Sequence, residues 1–121
     1  MATRTSESLV RLPDRGVAYV AVLAALVSAG IHLYLAPTVI GFSQTTGILF
    51  YLNGVGWLGG IALLLSRFWR RELYLVAAGY AAVTVVAFVA MGGRVGTVSV
   101  VSKVAELVVA AAAVYLYTAE G

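Results

Sequence analysis

The chain reads as four long apolar runs separated by short polar or glycine-rich breaks. Residues 1–15 are polar, and an apolar run follows from Gly16 to Ala36, ended by Pro37. A helix tends to stop at or before the residue preceding a proline, so the first helix is predicted over 16–36. The second run spans 44–65 and meets the arginine-rich stretch 66–72; the third spans 73–91 and ends at Gly92 and Gly93; the fourth spans 98–117. A bilayer's hydrocarbon core is about 30 Å thick and a helix rises about 1.5 Å per residue, so about 20 apolar residues suffice to cross. Strands of a membrane barrel need apolar and polar residues in alternation, and nothing here alternates. The pattern predicts an all-α, integral membrane four-helix bundle running up-down-up-down, a single transmembrane domain over 1–121.

Composition leads to the same solvent. Of the 121 residues 62% are hydrophobic and 11% charged, with a mean hydropathy of +0.99. A soluble domain is about half apolar and roughly a quarter charged, and a short chain has too little interior to hide the excess. The expected partner is therefore the lipid bilayer. The run after residue 15 exceeds the roughly 7 to 15 apolar residues of a cleavable signal, so it is expected to be a retained span. There is no cysteine, hence no disulfide framework and no thiolate chemistry.

The net charge of +3 does not point to nucleic acid, because the basic residues lie at the ends of apolar runs and not on one basic face. They read as topogenic charges. Arg4, Arg11 and Arg15 precede the first span, and Arg67, Arg70 and Arg71 separate the second from the third. Lys and Arg stay on the cytoplasmic side, so the N-terminus, the 66–72 loop and, with an even number of spans, the C-terminus are expected to be cytoplasmic. The connection 37–43 is uncharged and 92–97 carries only Arg94, which suits the outside. Trp69, Tyr74, Tyr115 and Tyr117 fall where an aromatic belt belongs, whereas Trp57 lies too deep. Short connections predict that consecutive helices are antiparallel neighbours.

Two features inside the spans invite a chemical reading. The text GVGWLGG at 54–60 resembles a dinucleotide fingerprint, but that fingerprint requires a strand before it and a helix opening after it. Within an apolar span, Gly56 and Gly60 form instead a GxxxG pair that permits close helix approach, and Ala25 with Ala29 offers a matching small face. These residues predict tight packing or a homo-oligomer face.

Lys103 and Glu106 are the charged residues within a span. Ionisable groups there are costly and by default functional, and a spacing of three places them on one helix face. Counting about 1.5 Å per residue, Lys103 lies about 8 Å and Glu106 about 12 Å below the outer end, His32 about 6 Å and Asn53 about 13 Å. Four polar side chains from three spans thus share the outer half and form a candidate binding site, with Gln44, Thr45 and Tyr51 near those levels and Thr84 closer to the middle. The leading reading is structural: Lys103 snorkels to the headgroups, Glu106 is satisfied by it, and Asn53 makes an interhelical hydrogen bond. Ser28 and His32, one turn apart, can bond to each other. No catalytic triad assembles, since the span acid is paired with a lysine. Two ligand-type residues fall short of the three or four of a zinc site, and one histidine cannot ligate haem twice. No catalytic residue, metal or cofactor is expected.

The segments GIHLYLAP (30–37), LFYLNGVGWLGGIALLL (49–65), RRELYLVAAGY (70–80) and SKVAEL (102–107) together resemble the uncharacterised small four-helix membrane proteins of haloarchaea. The resemblance implies a multi-pass protein of an archaeal plasma membrane and no particular activity. Two functions remain open. One is a structural or accessory subunit, self-associating or part of a larger membrane complex. The other is a binder or carrier of a proton, a quinone or a lipid, built on His32, Asn53, Lys103 and Glu106.

Overall fold

The computed structural model of the chain describes residues 9–90, 92 and 96–120; Arg4 and Arg94 and the expected helix end at residue 91 lie outside them. The described chain forms α1 (Gly16–Ile40), α2 (Gln44–Leu64), α3 (Leu73–Ala90) and α4 (Thr97–Ala119). Each is long and apolar enough to cross a membrane. Large apolar side chains point outward along all four helices, among them Leu23, Leu52, Val83 and Leu107. That is the inverse of a soluble bundle, in which such residues face the core.

One helix end departs from the sequence expectation. α1 does not stop at Ala36 but carries Pro37 within its last turn and ends at Ile40, capped by Gly41, whose N–H donates to Thr38 O, while Phe42 and Ser43 donate to Val39 O. A proline deletes the bond from its own N–H to the carbonyl four residues earlier. This close to a terminus the deletion removes a single bond and the rest of the turn still forms. The next helix starts at once: Ser43 Oγ accepts the N–H of Thr46 at 3.3 Å, which satisfies one of the orphan donors of the first turn of α2.

α1 lies between α2 and α4, and α4 lies between α1 and α3. The pairs α1/α2 and α3/α4 are neighbours, as short connections require. The expectation fails for α2 and α3, which follow each other in sequence yet do not pack closely along their lengths. The reason lies in the α1 and α4 surfaces. Ala18, Ala25, Ser28, Ala29 and Ala36 are buried on α1, and Ser102, Ala105, Val109, Ala112 and Ala113 on α4. Such small residues let two backbones approach and gain dispersion contacts, the main source of helix association in lipid. On the faces of α2 and α3 turned toward each other, Trp57 and Tyr80 meet edge to face, 4.8 Å between centroids, and bulky rings hold helices apart.

The described arginines gather at one end. Val10 pairs with Ser66 in an antiparallel bridge, and Arg11 Nη2 donates to the Leu64 carbonyl at 2.7 Å. Arg15 donates to Ala119 O at 3.2 Å and Arg71 Nε to Tyr117 O at 2.7 Å. The last carbonyls of a helix lack partners and carry partial negative charge. These arginines therefore cap α2 and α4 while tying the N-terminal segment and the 65–72 loop to one end of the bundle.

Candidate functional site

In the half of the bundle away from the arginines, Glu106 is completely buried. Its Oε2 accepts the hydroxyl of Ser28 at 2.5 Å and that of Ser102 at 3.2 Å. Its Oε1 accepts Thr84 Oγ1 at 2.8 Å and Lys103 Nζ at 2.9 Å. The donors come from α1, α3 and α4. Ser102 and Lys103 stand four and three residues before Glu106, so helical spacing alone brings them to the carboxylate. Ser28 and Thr84 arrive through tertiary packing. A buried carboxylate needs this many donors, since an ion without them carries a desolvation cost of several kcal/mol.

His32 stands beside it, Nδ1 3.9 Å from Glu106 Oε2. The same nitrogen is 2.8 Å from the Ser28 carbonyl oxygen. A carbonyl can only accept, so Nδ1 carries a hydrogen, and in the neutral ring Nε2 is then an acceptor. It meets Asn53 Nδ2 at 3.0 Å. The other end of that amide, Oδ1, is buried without a partner among the described residues. Phe50 flanks the imidazole, ring centroids 5.0 Å apart, and Tyr80 OH donates to Asn53 O at 2.8 Å, tying α3 to α2. Lys103 keeps its side chain 16% exposed with Nζ 5.2 Å from the centre of the Phe88 ring. It is the cluster's one charged group with a route to the surface.

The structure thus brings His32, Asn53, Lys103 and Glu106 into one chain of contacts. Sequence reasoning overlooked Ser102 and did not connect Ser28 or Thr84 to the acid. The Ser102/Glu106 spacing of four was a readable signal; the other two depend on helix rotation. Of the packing residues, Ala25 and Ala29 are buried, and a Cβ on Gly56 would strike the hydroxyl of Tyr80. Gly60 is different: it is exposed, with nothing within 4 Å of an added Cβ. The close approach of α1 and α2 falls at Gly54, where a Cβ would lie 2.5 Å from Leu33 Cγ, and at Gly47, where it would meet the backbone of Ile40.

Fold and site together define a small four-helix protein whose helices are apolar outside and whose interior holds a carboxylate–lysine–histidine cluster. Residues 3–117 match a family described as "Family of unknown function (DUF7475)", and the chain belongs to that family. No curated protein and no solved structure matches the chain.

Proposed function

We propose that the chain spans the plasma membrane four times, with both termini cytoplasmic, and that the cluster around Glu106 is a proton-binding site. The orientation is supported by Arg11, Arg15, Arg67, Arg70 and Arg71 at one end, while the described residues of the opposite connections, 41–43, 92 and 96, are uncharged. The resemblance to small haloarchaeal membrane proteins supports the choice of membrane.

The proton site rests on one observation: a fully buried carboxylate, held by side chains of three helices, lies 3.9 Å from a histidine. Both groups have partners arranged for a second protonation state. A proton on Glu106 Oε2 turns that oxygen into a donor, and the Ser28 hydroxyl can rotate to accept from it. A proton on His32 Nε2 requires an acceptor where Asn53 Nδ2 now donates; rotation of the amide supplies the unpartnered Oδ1. Among the described residues, Glu106 and Lys103 are the charged groups that act on the imidazole. Lys103 is the counter-ion that can swing toward the outer surface when the acid is neutral.

Infrared difference spectroscopy tests this on protein reconstituted in lipid and titrated across about pH 5 to 8, the range in which histidine exchanges protons. The expected result is a carboxylic acid C=O band that rises on acidification and is missing in Glu106→Gln, with an imidazole ring change missing in His32→Gln. Spectra without either change, in a protein that stays folded, would mean that the cluster only locks the helices together.

A further inference from the structure

In the half of the bundle nearer the arginines, the gap between α2 and α3 leaves an apolar groove. This open groove has a free volume of about 180 Å³ and walls that include Trp57, Gly60 and Leu64 of α2, Trp69 of the loop, and Leu73 and Ala77 of α3. An apolar space of roughly 150 Å³ is already large enough for a benzene-sized molecule. One end of the groove stops beneath the cluster, at the layer of Trp57 and Tyr80. The other reaches the 65–72 loop, which supplies Trp69 and carries Arg67, Arg70 and Arg71 against the single acid Glu72. Trp69 packs edge to face on Tyr74, ring centroids 5.0 Å apart.

We infer that this groove binds one chain of an anionic membrane lipid, with the phosphate headgroup at the arginines of the 65–72 loop. Two features select this occupant. The wall is apolar, as an alkyl chain requires. Its open mouth coincides with the most basic segment of the protein. Arg71 is positioned by its bond to Tyr117 O and by the Tyr117 ring, 3.8 Å from the guanidinium carbon, whereas Arg70 is exposed. The inference rests on the chain lying in a bilayer and is independent of the proton site.

Trp57 and Trp69 are the two tryptophans of the chain, and both line the groove, so intrinsic fluorescence reports its occupant directly. The full chain is reconstituted with small mole fractions of phosphatidylglycerol carrying brominated acyl chains, or of phosphatidylcholine carrying the same chains. Quenching by brominated phosphatidylglycerol is expected to exceed that by brominated phosphatidylcholine several-fold. Arg67→Gln and Arg70→Gln should each lower that preference, up to about five-fold per charge near the surface. Gly60→Leu, which fills the groove where an added Cβ meets nothing, should abolish it. If Gly60→Leu fails to fold, the arginine variants decide the matter alone. Equal quenching by both lipids overturns the inference while leaving membrane insertion intact. So does a preference that survives in folded Gly60→Leu, or quenching by neither lipid accompanied by a cross-linked dimer, which would show a second copy in the groove. Failure of the infrared test touches none of these readouts.

Discussion

Replacing Glu106 by leucine should destabilise the protein by about 3 kcal/mol, and replacing Lys103 by methionine at the same time should restore most of the loss. The Glu106→Leu change removes the interhelical acceptor of Ser28 and Thr84. Hydrogen bonds between membrane helices contribute about 0.6 kcal/mol each on average, so these two account for roughly 1 kcal/mol. Thr84 retains the Ala81 carbonyl, 2.8 Å away, which limits that loss. The larger part comes from Lys103, left as an ammonium without its carboxylate. Removing one member of a fully buried pair costs about 3–5 kcal/mol; Lys103 is partly exposed and can turn to the surface, so about 2 kcal/mol is the reasonable share. Lys103→Met alone should cost about 1–2 kcal/mol, since three hydroxyls still hold the acid, and each donor to a charged group contributes on the order of 1.5 kcal/mol or more. A well-packed apolar replacement of a whole buried pair is often neutral, so the double variant should lie within about 1 kcal/mol of the parent. The assay is unfolding in mixed micelles with increasing dodecyl sulfate, followed by the fluorescence of Trp57 and Trp69. Additive single effects, or a double variant as unstable as their sum, would refute the assignment of the pair as the energetic centre of the cluster.

Two further outcomes follow from the packing and the charge distribution. Gly47→Ala should destabilise by about 1–3 kcal/mol, the usual range for overpacking, because its Cβ would meet the backbone of Ile40, while Gly60→Ala should leave unfolding in the same assay unchanged within about 0.5 kcal/mol; equal effects would contradict the helix contacts described. The chain has no cysteine, so Phe42→Cys and Glu72→Cys each give a single thiol at opposite ends of the bundle, and a membrane-impermeant maleimide added to intact cells should label the first and reach the second only after permeabilisation. The reverse labelling would overturn the proposed orientation.

The sequence by itself determined how many helices the described residues form, where they begin within a few residues, which end carries the described arginines and how far along its helix each polar residue lies. All of these follow from counting, because a helix advances a fixed distance per residue and apolar runs of this length have few alternatives. Pro37 was the exception at an element boundary: its local rule was outweighed by a helix with only a few residues left to run. Tertiary structure decided everything that depends on rotation about the helix axes. α1, α2 and α3 are apolar around nearly their whole circumference, so no amphipathic stripe marks an inner face, and the sequence could not say that α1 turns toward α4 or that α2 and α3 stand apart. The same gap explains the site. The depths of His32, Asn53, Lys103 and Glu106 were legible, but their joining, and the part of Ser28 and Thr84 in it, required four helices to be turned inward together. It explains the glycines as well: GxxxG spacing identified Gly56 and Gly60 as candidates for contact, yet the close approach of α1 and α2 falls at Gly47 and Gly54, because spacing fixes which residues share a face and packing alone fixes which way that face looks.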